Sequence, residues 1–161
     1  MHTPTHEKDV ETVWKLIEKI RTCMLVGDDG HRLYARPMSA YADKKDHAIY
    51  FLTDVRGVKD DVIRQHPEVC LTFVEGSHYL SVSGEGSVSN DRDNIRELWN
   101  VFAQAWFDGP SDPNIRLLRV VPEDAQYWET LGKVTTAVSM AIAAATGTRP
   151  ETGKERKVDM H

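Results

Sequence analysis

Cysteine, an excess of positive charge and long apolar runs are all scarce in this 161-residue chain. Two cysteines leave no room for a disulfide framework or a clustered metal site. Cys23 and Cys70 sit inside the apolar runs CMLV and VCLTF, as small buried hydrophobes do. A formal net charge of -5 removes the basic surplus that phosphate backbones demand, so nucleic acid is not an expected partner. No apolar run approaches membrane-spanning length, and no membrane partner is expected. The start MHTPTHEKDVE, polar and charged, reads as neither a secretory signal nor a transit peptide, which makes the cytoplasm the expected location.

Familiar catalytic signatures are missing too. The GEG at 84–86 is too short for a dinucleotide fingerprint and lies within a strand pattern instead of opening a helix. Ser81, Ser83 and Ser87 alternate with no glycine elbow, so no nucleophile triad is expected. His2 and His6 have i, i+4 spacing but no carboxylate or cysteine company, and no metal site is expected.

What is present is one domain's worth of regular patterning, 40% hydrophobic and 28% charged, read as a single unit over 1–161. Residues 7–20 place Val10, Val13, Trp14, Ile17 and Ile20 at helical spacing. A strand through Val26, a DDG turn and a second strand over about 32–40 read as a hairpin. HAIYFLT is an apolar third strand, a short helix follows, and EVCLTFVE is the fourth. HYLSVSGEGSVS alternates as the fifth, with Gly84 and Gly86 as bulge or bend positions. DRDNIRELWNVFAQAW reads as a helix capped by Asn90 or Asp91, with Ile95, Leu98, Trp99 and Phe102 on one side. IRLLRVVPEDAQYWE is a strand broken at Pro122. An alanine-rich helix over about 134–147 and a polar tail over 148–161 close the chain. The predicted fold is mainly β with flanking helices: about six short antiparallel strands in meander order closing into a barrel.

One position asks for an explanation. Lys59 falls in the first turn of the short helix, where the macrodipole and free N–H groups already make the site positive. The plain reading is a solvated turn on which Asp60 and Asp61 balance it. The alternative is a shared anion. Thr53 ends the preceding strand with a hydroxyl, and Arg36, on the adjacent hairpin strand, offers a planar fork suited to phosphate oxygens. These three converging would make a phosphate site without a glycine-rich loop.

The ordered set ARPMS, IYFLTD, a six-residue step to Lys59, HPEVCLTF, SGEGSV, AWFDGPSDP and YWE resembles the pyridoxamine 5'-phosphate oxidase-like, FMN-binding split-barrel proteins, and within them the bacterial general stress protein branch. The resemblance covers about residues 7–131. It implies a six-stranded antiparallel split β-barrel, an FMN cofactor, and a homodimer with flavin sites at the subunit interface. By the same resemblance Arg36 and Lys59 meet the flavin phosphate, with Thr53 and nearby backbone N–H groups sharing it. Pro37 and Met38 line the isoalloxazine, and Leu52 with Thr53 touches ring and phosphate. Trp106, Trp128 and Tyr79 are candidate ring walls, some reaching across from the other subunit; plain core packing is the competing reading for each.

The departures from the oxidase pattern are as informative. Gly57, Val58 and Lys59 stand where the oxidase has Ser-Arg-Lys, and TLGKVTTAVSMAIAAATG replaces the arginine-rich segment after YWE. Both argue against oxidation of pyridoxine phosphate. The expectation is an FMN-dependent oxidoreductase of unspecified substrate. The alternatives are a flavin carrier or sensor without turnover, and a barrel that has lost flavin and acts through its dimer surface.

Overall fold

The computed structural model describes residues 4–57, 60–100, 103–130, 133–149 and 153–161. Helix α1 (Pro4–Ile20) precedes the hairpin strands β1 (Thr22–Asp28) and β2 (Leu33–Ser39), the short β3 (Tyr41–Asp43) and β4 (Ala48–Asp54). Helix α2 (Asp60–Gln65), β5 (Glu68–Glu75), β6 (His78–Ser89), α3 (Arg92–Leu98), one 3-10 turn (Ala103–Ala105), β7 (Ile115–Thr130), α4 (Lys133–Thr146) and β8 (Gly153–Asp159) complete the order.

All strand pairings are antiparallel, in one 8-stranded sheet of order β2-β1-β5-β6-β7-β4-β3 with β8 on β7. The fold class is the expected one, with three differences. The order is not a simple meander, because β1 pairs with β5 and β7 with β4. The described residues hold more strands than the expected six. And β2 is not hydrogen-bonded to β4; the two approach because the sheet curls back on itself.

Alternation explains the core. Cys23 and Leu25 of β1, Val69, Leu71 and Phe73 of β5, and Leu80 and Val82 of β6 point inward at period 2. Helix α1 lays Val13, Trp14, Leu16 and Ile17 over them at helical spacing. Burial raises the Cys23 thiol to about 12, so it behaves as a packing group; both cysteines are free.

The DDG turn closes β1 onto β2 as its chemistry demands. Asp29 Oδ1 accepts from the N–H groups of His31 (2.8 Å) and Arg32 (2.9 Å), and Gly30 takes φ +90°. Strand β7 runs unbroken through Pro122. The register with β6 shifts between Ser83 and Gly84, and this bulge accommodates a residue that cannot donate to the ladder. A Cβ at Gly84 would strike the Val121 carbonyl, so the bulge requires glycine there.

The expected helix after Asn90 is shorter than its pattern. Asp91 caps it by accepting from Asn94 N, but Trp99 is already extended and a separate 3-10 turn follows; Phe102 lies outside the described residues. The larger correction concerns the C-terminal segment, read as a polar tail. Strand β8 pairs with β7 from Thr130↔Gly153 to Asp124↔Asp159, and Val158 and Met160 are buried in the main core. Its Glu155, Arg156 and Lys157 gave the polar appearance, yet such charges are what an edge strand carries against stray pairing. Helix α4, between β7 and β8, buries Ala143 and leaves Val138, Met140 and Ile142 exposed.

Candidate functional site

Where the sheet's two ends approach, they enclose a cavity of about 420 Å³. Its walls are Arg36, Pro37, Met38 and Ser39 of β2, Thr22 of β1, Tyr41 of β3, and Leu52, Thr53 and Asp54 of β4. Gly57, Ala103, Trp106 and Phe107 close it. Strand β2 is an edge strand of the sheet, which is why Pro37 is tolerated in it.

One end is polar. The Arg36 guanidinium lies over the Tyr34 ring, 5.3 Å from its centroid, and its Nε is buried without a hydrogen-bond partner among the described residues. An unpaired buried charged donor costs free energy unless an acceptor arrives, so it marks the wall as one that wants an anion. Thr53, on β4, is only 4% exposed and also lines the cavity. Asp54 is the one carboxylate among the described lining residues; the Arg56 guanidinium holds it below the usual carboxylate range through Nε to Oδ1 at 2.9 Å and Nη2 to Oδ2 at 2.6 Å.

The other end is apolar and aromatic. Leu52 and Phe107 pack on the smaller core cluster around Tyr50, Ile95 and Leu117, while Trp106 is 78% exposed on the rim. The Tyr41 hydroxyl accepts from Asn100 Nδ2, and the Arg21 guanidinium lies 5.6 Å from the Tyr41 ring centroid. The loop carrying Trp106 and Phe107 is pinned by buried Asp112. Its carboxylate accepts from Asn114 N (2.9 Å) and Asp108 N (3.2 Å), which lowers its pKa, while its carbonyl accepts from Arg92 Nη1 (2.8 Å).

The sequence-predicted residues thus divide. Arg36, Pro37, Met38, Leu52, Thr53 and Trp106 line one cavity. Lys59 lies outside the described residues, as does Val58. Tyr79 and Trp128 form a cross-strand pair between β6 and β7 and are not among the described residues lining the cavity; Tyr79 is 41% exposed. The helix-start N–H groups expected to share an anion begin at Val58 and Lys59, outside the described residues; in the turn before them Val55, Arg56 and Gly57 donate to Asn114 O, Asp54 Oδ1 and Asp54 O. Tyr41, Asp54, Gly57 and Phe107 were not among the expected lining residues. Asp54 and Gly57 flank the strand end and its turn, and Phe107 stands in AWFDGPSDP, so each carries a local signal; Tyr41 carries none.

No histidine, lysine or cysteine lines the cavity among the described residues, and they hold no cluster able to bind a metal ion. No described helix is long and apolar enough to cross a membrane. The residues present fit a flavin. A guanidinium whose buried Nε lacks a partner suits a phosphate, while Pro37, Met38, Leu52 and the aromatic rim suit a flat conjugated ring.

A family model described as pyridoxamine 5'-phosphate oxidase like matches residues 8–151. General stress protein 26 of Bacillus subtilis is 31% identical over 83 residues, 47% of this chain and 58% of that protein; the match therefore spans little more than half of the relative. The crystal structure of a putative general stress protein 26 from Jannaschia sp. CCS1 superposes with a TM-score of 0.73 at 26% identity, covering 95% of this chain and 99% of that one. The general stress FMN/FAD binding protein of Xanthomonas citri gives a TM-score of 0.67 at 30% identity, over 76% and 89% of the two chains.

Proposed function

The chain belongs to the pyridoxamine 5'-phosphate oxidase-like family, and on that premise we propose that it binds FMN noncovalently as a flavin-dependent oxidoreductase of the general stress protein type. The observation that carries the reading is the unpaired, buried Nε of Arg36 in the wall of a cavity otherwise lined by Pro37, Met38, Leu52 and aromatic side chains. A flavin named in the Xanthomonas citri relative supports it.

In this reading Arg36 and Thr53 hold the phosphate, with Lys59 as a further cation. Pro37, Met38 and Leu52 pack against the ring, and Trp106 covers its exposed side. Bound flavin supplies two-electron redox chemistry; the chain's residues bind it, orient it and shield it from water. The only carboxylate among the described lining residues is held ionised by Arg56, and no described lining side chain is assigned a proton-transfer role.

We assign a homodimer, with the second copy closing the site and Tyr79 and Trp128 meeting it across the interface. Support comes from Met24, Val74 and Tyr79, exposed apolar groups on the strands β1, β5 and β6. A cytoplasmic setting is in keeping with two free cysteines.

Titrating the purified protein with FMN tests the reading. Quenched flavin fluorescence and a perturbed visible spectrum are expected, and an unchanged spectrum at saturating protein would overturn it. A carrier without turnover shares the same cavity, and the described lining holds no histidine, lysine or cysteine to move a proton. Stopped-flow reduction of the bound flavin by NADH or NADPH separates the two: rapid reduction followed by reoxidation by an acceptor identifies the enzyme, inertness the carrier. Light scattering on the loaded protein checks the dimer.

A further inference from the structure

The aromatic end of the cavity carries a polar group whose hydrogen-bonding sense is fixed. Tyr41 lines the cavity from β3, and its hydroxyl oxygen accepts from Asn100 Nδ2. Two backbone groups decide which way round that amide stands. Ala103 N can only donate, and it meets Asn100 Oδ1 at 3.1 Å; the Leu98 carbonyl can only accept, and it meets Nδ2 at 3.4 Å. The edge of the amide that faces Tyr41 is therefore a donor. A phenol that receives a hydrogen bond keeps its own proton to give, and no acceptor among the described residues takes it.

The ring is held as well as the hydroxyl. The Arg21 guanidinium lies 5.6 Å from its centroid. Arg21 takes φ 63°, and its backbone is tied on both sides, its N–H donating to Ile17 O (2.9 Å) and its carbonyl accepting from Ala40 N (2.7 Å). The surroundings of Tyr41 are neutral. Thr22 and Ser39 pair across β1 and β2, and Ala103, Trp106 and Phe107 are uncharged, whereas the charged residues of the described lining, Arg36 and Asp54, belong to the polar end. One donor among neutral and aromatic walls suits a neutral acceptor on a flat ring, and a conjugated carbonyl oxygen is that acceptor.

We propose that Tyr41, with its proton directed by Asn100, donates a hydrogen bond to a carbonyl oxygen of a conjugated ring bound in the cavity. The inference rests on the flavin reading above. Two rings offer such an oxygen: the flavin itself, and an uncharged quinone stacked beside it. Asn100 acts as a positioning residue: it occupies the phenol oxygen with a donor, which leaves the proton for the ligand, and it ties Tyr41 to the turn that carries Trp106 and Phe107.

The test measures FMN binding by fluorescence quenching, and menadione binding to the FMN-loaded protein by calorimetry, on the wild-type chain, Tyr41→Phe and Asn100→Asp. A thermal melt shows that each variant is folded, and infrared difference spectra read the carbonyl stretch of each ligand. Tyr41→Phe removes the proton. Asn100→Asp keeps the phenol and an acceptor for Ala103 N, but its carboxylate takes the Tyr41 proton for itself. Both variants are expected to weaken FMN or menadione by about 3- to 10-fold, the range of a lost neutral hydrogen bond, and to raise that ligand's carbonyl frequency. A loss for FMN assigns the oxygen to the flavin; a loss for menadione alone assigns it to the quinone. Unchanged affinities in Tyr41→Phe, a loss confined to one of the two variants, or a loss without a carbonyl shift overturns the inference while leaving flavin binding intact. A wild-type chain that binds no FMN overturns the flavin reading itself and the inference with it.

Discussion

The two ends of the cavity are held in opposite ways. The polar end is built on strands: Arg36 lies mid-way along β2, in register with Leu25 of β1, and Thr53 pairs with Arg116 of β7. The aromatic end is built on a loop, and Trp106 and Phe107 keep their place through Asp112 and the Arg92 contact to its carbonyl. Strand residues are over-determined by ladders on a packed core, whereas a loop wall depends on one or two side-chain contacts. The polar end should therefore decide which ligand binds, and the aromatic end how firmly any flat ligand is covered.

Arg36→Gln should break this comparison most severely. FMN affinity is expected to fall on the order of 100-fold, the scale of losing a buried charged donor of about 1.5–3 kcal/mol, with riboflavin little affected. Equal loss of both, measured by paired titrations, would mean that Arg36 serves the ring instead of the phosphate.

Asp112→Asn probes the opposite end. It removes the charge that gathers the Asn114 and Asp108 N–H groups, so the wall loosens, the melting temperature drops, and both flavins weaken alike by about 10-fold. Ligand discrimination should survive.

Trp106→Ala strips one ring from the rim without disturbing the loop, and a loss of about 3- to 10-fold for both ligands is expected. Calorimetry in which only FMN suffers would contradict the division of labour.

The smallest effect is on pH. Asp54 and Asp112 both have folded-state pKa values below the ordinary range, the first through the Arg56 fork and the second through backbone N–H donors. The stability they contribute is therefore fully present above the ordinary value of about 3.9 and is lost as pH falls through the lowered folded values. Melting temperature should decline below about pH 4, and Asp112→Asn should flatten part of that decline.

How far the residues could be read in advance follows the range of the interactions involved. The apolar run of β4, the Asp91 cap, the DDG turn and the Gly84 bulge are each encoded within a few neighbouring residues, and each appears as expected. Strand β8 escaped because its outward charges outnumber its inward Val158, and the pairing that orders it lies on β7. Trp106 and Trp128 look alike in local pattern, yet one lines the cavity and the other pairs with Tyr79 on the sheet.

From its letters alone this chain specified a mainly β domain and the two strand motifs, ARPMS and FLTD, that carry the cavity's residues, since alternation and turn chemistry act over a few positions. Tertiary structure alone decided that those motifs meet without pairing, that the N–H groups of Val55 to Gly57 are already spent, and that the Asp112 loop brings Trp106 and Phe107 to the same cavity. The curl of a sheet is the sum of many small strand twists, and that sum has no local signature.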